Sequence, residues 1–272
     1  MPELPEVEVA ARNLRQWMVG EVVAGVEAPD EKVLAAGTGA EWEAALCGRR
    51  CLGVARRAKY LLMDFEGGHT VVAHLRMTGK FVLVPAGESE PAYVRFRFLL
   101  TDGRRVLFRD MRRFGRAWLL PTAAVAAMPE LAKLGPDAYL EPLGPRELAE
   151  RARRSRRPVK TWLMDQTVIG GLGNICASEI LFRARIAPER PADSLADEEI
   201  ERLAAAIPDY LEWAIRAQSG PEIIYIAERR DANPFAIYGH GGEPCPRCGA
   251  ALARKVIAGR STFSCPVCQA PS

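Results

Sequence analysis

The sequence predicts an α+β protein: an N-terminal helix and a β-sandwich, followed by a helical domain that ends in a metal-stapled β-hairpin. Three observations predict it. From Val22 to about Leu120, compact apolar runs alternate with turn signals and no long helical period interrupts them. Beyond a stretch rich in proline and glycine at 134–144, the apolar spacing changes to the helical period. Near the C-terminus stand two Cys-x-x-Cys pairs. The expected organisation is a helix-plus-sandwich domain over 1–133, a linker over 134–144, a helical domain over 145–239 and a zinc-finger hairpin over 240–272.

The first helix follows from Val7, Ala10, Ala11, Leu14 and Met18, which share one face. Pro5 suits a first turn, and Glu3, Glu6 and Glu8 sit at the positive end of the helix dipole. Strands follow at Tyr60–Phe65, Thr70–Leu75 and Phe81–Val84. Tyr93–Leu100 alternates, with Val94, Phe96, Phe98 and Leu100 on one face and Arg95 and Arg97 on the other. Gly67-Gly68, Asp102-Gly103 and the Pro85–Pro91 loop supply turns. Many short strands without interleaved helices indicate a sandwich or barrel. Helices are expected at Pro145–Arg153, Val159–Asp165, Ile175–Arg185 and Asp197–Ala217.

Of the 272 residues, 49% are hydrophobic and 26% charged, which excludes a wholly disordered chain. No apolar run is long enough to span a membrane, and the acidic start lacks the basic region of a secretion signal, so a cytoplasmic protein with no membrane partner is expected. Net charge is only +3, but the basic residues are segregated. Arg49–Lys59 holds five and no acid, Arg95–Arg116 eight against two, Arg146–Lys160 seven against two, and the segment from Cys245 onward four against none. Each run alone reads as a solvated face; together they suit a phosphate backbone.

Cys245-x-x-Cys248 and Cys265-x-x-Cys268 supply four thiolates, a closed tetrahedral set for one structural Zn2+. Between them Lys255–Phe263 can form a hairpin turning at Ala258-Gly259. Cys47, Cys51 and Cys176 read as small buried apolar residues.

Six motifs in order give these features a family likeness. Pro2-Glu3-Leu4-Pro5-Glu6-Val7-Glu8 resembles the N-terminus of the formamidopyrimidine-DNA glycosylases, relatives of endonuclease VIII. Arg57-Ala58-Lys59-Tyr60-Leu61-Leu62 is similar to the family's lysine strand, and His74–Gly79 and Asp110–Gly115 to its two DNA-facing loops. Asp165-Gln166 with Gly170–Ile175 resembles its helix–two-turn–helix, and Gly259–Phe263 its zinc-finger tip. The resemblance spans nearly the whole chain. It implies a bifunctional base-excision enzyme, a glycosylase and AP lyase acting on damaged double-stranded DNA, with monomer as the family expectation.

The likeness assigns roles residue by residue. Pro2, exposed once the initiator methionine is removed, matches the nucleophile. A terminal amine of ordinary pKa near ~7.7–8.0 is partly unprotonated at neutral pH and can form an imine at the sugar C1′. On residues alone Pro2 reads more readily as a rigid chain start than as a nucleophile. Glu3 is placed to move protons, with a helix-dipole carboxylate as the plain reading. Lys59 matches the family's mobile cation, and Arg260 a phosphate clamp beside the chemistry. Chemistry on a stacked base requires its extrusion. Met77, Arg112 and Phe114 match the residues that fill the gap, although Met77 and Phe114 taken alone read as core. His74, Lys160 and Asn174 match further DNA contacts.

The likeness breaks in Gln218–Gly242, where 8-oxoguanine-excising members carry a Gly-Gly-Ser/Thr-Thr start. His240 stands where arginine is usual, Cys176 where tyrosine is, and Met111 where proline is. Three functions remain in view: excision of oxidised or ring-opened purines, the same chemistry on oxidised pyrimidines, bulky adducts or abasic sites, and non-catalytic lesion binding.

Overall fold

The computed structural model describes residues 2–223 and 233–270. The chain divides into two compact units, Met1–Ala132 with Gln218–Tyr225 and Lys133–Ala217 with Ile226–Ser272. Among the described residues no helix is long and apolar enough to cross a membrane.

In the first unit, α1 spans Leu4–Met18. The Glu6 carboxylate accepts the Glu3 backbone N–H at 2.8 Å, satisfying a donor that the helix start leaves open. Leu4, Val7, Ala11, Leu14 and Met18 are buried. Nine strands follow: β1 Val23–Glu27, β2 Leu34–Ala36, β3 Cys51–Arg57, β4 Tyr60–Phe65, β5 His69–His74, β6 Gly79–Val84, β7 Val94–Leu100, β8 Arg105–Asp110 and β9 Arg116–Pro121. They form two sheets, ordered β1-β7-β8-β6 and β2-β9-β5-β4-β3. Phe65 of one sheet meets Phe98 of the other with ring centroids 5.8 Å apart.

The expectation of strands without helices is corrected by α2, Gly39–Leu46. Thr38 and Glu41 close a reciprocal capping box at its start, and only Trp42 and Leu46 are buried from it. Two inward residues on eight are too few for a helical period to register. At its end Cys47 is exposed, not buried, whereas Cys51 and Cys176 are buried as expected.

The strand register brings the loops of interest together. Arg57 pairs with Tyr60, Tyr60 with His74 and His74 with Arg116 in one row, while Gly79 pairs with Asp110 in the other sheet. The Ala58-Lys59 turn therefore shares one end of its sheet with His74, and the 75–78 and 111–115 loops leave from these same paired positions. Gly79 and Gly115 both lie against Phe108, where an added Cβ would come within 2.8 and 2.5 Å of its ring. Neither position has room for a side chain.

The second unit begins at the stretch expected to be a linker, but 134–144 is packed structure. Asp137 is fully buried, its carboxylate accepting the Tyr139 and Leu140 N–H groups, and Gly135 N donates to Gln166 O at 2.8 Å. Proline and glycine mark irregular backbone and say nothing about whether it is buried. After α3 (Pro129–Ala132, in the first unit) come α4 Pro145–Ala152, α5 Val159–Leu163, α6 Asn174–Ala184 and α7 Asp197–Gln218. The Gln166 side chain stitches the α5–α6 connection, donating to Met164 O and Leu172 O and accepting from Gly171 N. The hairpin β10 Ala253–Ile257 and β11 Arg260–Ser264 turns at Ala258-Gly259, both at positive φ. Residues 218–223, expected in the helical domain, belong to the first unit: Asn13 donates to Gly220 O and Glu222 pairs with Lys80.

Candidate functional site

In the first unit Pro2 is buried and Glu3 is 2% exposed, at the head of α1. Burial first, and the nearby Glu3 second, push the Glu6 carboxyl above the usual carboxylate range. Glu6 also bonds the Gln218 side chain. Glu8, read from the sequence as a carboxylate at the positive end of the helix dipole, is in addition buried and paired with Arg56. Lys59 is half-buried in its turn.

His74 Nδ1 accepts the Arg76 N–H at 3.0 Å, which assigns the proton of the neutral ring to Nε2. Burial, helped by the positive Arg76 and Lys59, holds its pKa down to about 3. The ring is thus a neutral donor at physiological pH. Between pH 3 and 6.5 the unfolded chain binds a proton that the folded ring refuses, so stability rises with pH across that window. A His74→Gln variant is accordingly expected to lose less Tm than the wild type between pH 7 and 5 in circular-dichroism melts. Equal losses would contradict this.

The 111–115 loop is a stiff platform built on residues whose part in it no sequence motif indicates. Fully buried Asp110 accepts from Gly115 N at 2.7 Å, Arg112 N at 3.2 Å and the Thr78 hydroxyl. Arg95 donates to Asp110 O at 2.7 Å and pairs with Asp30, which also takes Arg113. Met111, Arg112 and Phe114 are exposed, with the Arg112 guanidinium 4.7 Å over the Phe114 ring; Met77 is half-buried. The expected core reading of Phe114 does not hold.

The cationic runs are also thinner at the surface than counting suggests. Arg56 and Arg95 are buried, and Arg97, Arg104 and Arg105 are paired with Glu27, Glu90, Glu21 and Asp102.

In the second unit Asn174 occupies the first turn of α6. Its Nδ2 donates to Ser261 O at 3.1 Å and to the Tyr238 hydroxyl at 3.2 Å. The resemblance makes Lys160 a DNA contact near the lesion pocket; in the structure it is 1% exposed and its Nζ donates to Ser261 O and Thr262 Oγ1 at 3.0 and 2.8 Å, holding the hairpin tip. Arg260 is exposed on the rim of an open cleft of about 260 Å³ that Arg157 and Asp165, themselves paired at 2.7 Å, also line.

Glu179 on α6, which no motif singles out, is completely buried and accepts the N–H groups of Ala236, Ile237 and Tyr238 at 2.9–3.0 Å. It anchors the chain entering the zinc finger. Glu179→Ala leaves three amides without acceptors and is expected to cost at least about 3 kcal/mol, read by urea unfolding. A loss under ~1 kcal/mol would contradict that role.

The four cysteine sulfurs lie within 4.8 Å of one another. Cys245 and Cys268 are 3.9 Å apart and Cys248 and Cys265 3.5 Å, close to the roughly 3.8 Å that a tetrahedron of ~2.3 Å Zn–S bonds sets. Arg247 N and Cys268 N donate to Cys245 Sγ and Cys265 Sγ. The set fits one structural zinc ion, with Phe182, Ile237, Leu252 and Phe263 packed beside it.

Three family models match the chain in order: the formamidopyrimidine-DNA glycosylase N-terminal domain at residues 1–117, its H2TH domain at 134–223, and the zinc finger found in FPG and IleRS at 242–271. A formamidopyrimidine-DNA glycosylase of Pelotomaculum thermopropionicum is 42% identical over 275 residues, 99% of each chain. The chain belongs to the formamidopyrimidine-DNA glycosylase family. Among solved structures, the Lactococcus lactis Fpg bound to abasic-site DNA matches with a TM-score of 0.90 at 30% identity, covering 99% of this chain and 100% of that one. The same protein with Fapy-dG-containing DNA matches at 0.89 and 31%, with the same coverage. This glycosylase is therefore a DNA repair enzyme with a zinc finger. Of its departures from the family pattern, Cys176 is buried, Met111 is exposed and His240 pairs with Glu243 at 2.8 Å. The part of the divergent segment at 224–232 lies outside the described residues.

Proposed function

We propose that this glycosylase excises oxidised or ring-opened purines from duplex DNA and then cleaves the strand as an AP lyase, through a Schiff base on Pro2. The observation that carries this is the buried Pro2-Glu3 start of α1, in the unit whose sheet register groups Lys59 with His74 and with the loops bearing Met77, Arg112 and Phe114. The relative holding Fapy-dG-containing DNA supports the substrate class.

The Pro2 nitrogen adds to C1′ as the glycosidic bond breaks; the base leaves with the electron pair and gains a proton, and the nitrogen, cationic on bonding, gives up its N–H proton and so regains a lone pair. Glu3 protonates the ring oxygen as the nitrogen lone pair opens the sugar, leaving an iminium cation. Loss of a C2′ proton then expels the 3′-phosphate. Met77, Arg112 and Phe114 fill the space left by the everted base, the last two as a stacked pair on the Asp110 platform. Lys59, His74, Asn174 and Arg260 take phosphates, with Lys160 supporting the Arg260 hairpin. The enzyme works as a monomer in the cytoplasm, as the sequence and its resemblance lead one to expect.

A panel of defined lesion duplexes, each assayed for base release and for adducts trapped by borohydride, tests the reading. Release of 8-oxoguanine or formamidopyrimidine with a trapped adduct is expected. Release confined to oxidised pyrimidines would favour the second reading, which the missing Gly-Gly-Ser/Thr-Thr start motivates. Tight binding without any adduct would reject both.

A further inference from the structure

We propose that Glu8 and Arg56 are a positioning pair that holds the Lys59 turn in fixed relation to the helix start bearing Pro2 and Glu3. The inference rests on the roles just given to Lys59 and Pro2 and adds to them the device that keeps the two registered.

Glu8 lies in the second turn of α1 with its side chain 6% exposed. Its Oε2 accepts Arg56 Nε at 2.8 Å, and its Oε1 faces Arg12 at 3.0 Å and Arg15 at 3.6 Å. Arg56, at the end of β3, has no exposed side-chain surface. The same guanidinium donates from Nη1 to Ala58 O at 3.0 Å. Ala58 has φ +51°, a conformation that a Cβ disfavours, and Lys59 follows it as the second residue of the turn. One rigid, planar group thus spans helix and turn.

Lysine carries its donors on one nitrogen at the end of a flexible stem, so it does not reproduce two bonds that leave from separate guanidinium nitrogens in a fixed fork. Stability alone gives little reason for this arrangement. A buried ion pair loses in desolvation much of what it gains by attraction, and apolar residues of similar volume serve a core as well or better. An apolar pair, however, cannot hold the Ala58 carbonyl. The Glu8–Arg56 bond locates the guanidinium from the helix, and the guanidinium locates the turn. Arg12 and Arg15 are more than two-fifths exposed and can turn to water when the Glu8 charge is removed.

The test uses the full chain and three variants, Arg56→Lys, Glu8→Gln and the charge-free Glu8→Leu/Arg56→Met. Each is measured for Tm, for affinity to a duplex carrying a non-cleavable abasic analogue, and for single-turnover borohydride trapping on an abasic duplex. The double variant removes the Glu8–Arg56 ion pair as a unit and is expected to stay folded, melting below the wild type by no more than the lost Ala58 carbonyl bond accounts for. Affinity should fall far less than the trapping rate, since of the phosphate contacts only that of Lys59 is displaced and those of His74, Asn174 and Arg260 stay in place. Trapping should slow roughly 10–100-fold in every folded variant, the scale set by a reacting group misplaced by about an ångström. The double variant should trap no more slowly than the slower single one, because the two residues act as a unit. A folded variant that traps at the wild-type rate overturns the proposal. So does a rate that falls only in step with Tm or affinity, or the failure of all three variants to fold, which would make the pair a stability element. An absent wild-type adduct would sink the Pro2 reading and this inference with it, whereas normal wild-type trapping with unaffected variants sinks the inference alone.

Discussion

Replacing Glu3 by glutamine is expected to slow borohydride trapping on lesion duplexes by about 10²–10⁴, the range that a positioned proton-transfer group supplies. Glutamine keeps the volume of a side chain that is only 2% exposed, and the backbone N–H of residue 3 still reaches Glu6 at 2.8 Å. The start of α1 should therefore survive, and binding to an uncleavable abasic duplex should be nearly unchanged. Loss of rate with retained binding separates a proton carrier from a structural carboxylate. Pro2→Gly offers a primary amine on a freer backbone and should also reduce the adduct sharply. An uncleaved Met1 on active enzyme, seen by mass spectrometry, would refute the nucleophile outright, because the Pro2 nitrogen would then be an amide. Glu3→Gln trapping at the wild-type rate would refute the role of Glu3.

Removal of zinc is expected to be the second large effect. Structural zinc in small finger peptides is worth about 10–16 kcal/mol of apparent binding free energy at neutral pH. Among the described residues, the buried apolar side chains that cluster with the cysteines are few: Phe182, Ile237, Leu252 and Phe263, with Ala236, Tyr238 and Ala250 partly buried against them. Without the ion the hairpin should lose its shape, taking with it Arg260 and the Ser261 and Thr262 atoms that hold Lys160 and Asn174. Removing two charge-assisted hydrogen bonds to phosphate, at ~1.5–3 kcal/mol each, would weaken duplex binding by roughly 10²–10⁴. Chelation followed by a binding titration and far-ultraviolet circular dichroism checks this, with zinc add-back as the control. Binding that survives complete chelation would show that the hairpin is not a DNA contact.

Helices and strands with a strong period were legible in the sequence. β4 is bounded by Tyr60 and Phe65 and α4 begins at Pro145, as their apolar spacing and breakers imply. The zinc set was legible because thiolate spacing and coordination geometry leave little freedom. What could not be read is what depends on partners distant in sequence. Asp110 lies inside a family-like motif, yet its work as a platform becomes visible only when Thr78, Arg112 and Gly115 surround it. Glu179 meets the amides of 236–238 across more than fifty residues, and no local pattern announces that contact.

The basic runs show the same limit. Counting charges cannot tell Arg56 and Arg95, enclosed with their acids, from the exposed Arg112 and Arg260. The chain alone determined the family, the order of its strongly periodic elements, the metal ligands and the amino-terminal residues suited to imine chemistry, because these follow from residue type and near spacing. Tertiary structure decided which cations face outward, how the supposed linker packs, that Lys160 serves the hairpin, and that one guanidinium links α1 to the Lys59 turn. Burial and pairing are properties of three-dimensional neighbours, and folding selects those neighbours from residues far apart along the chain.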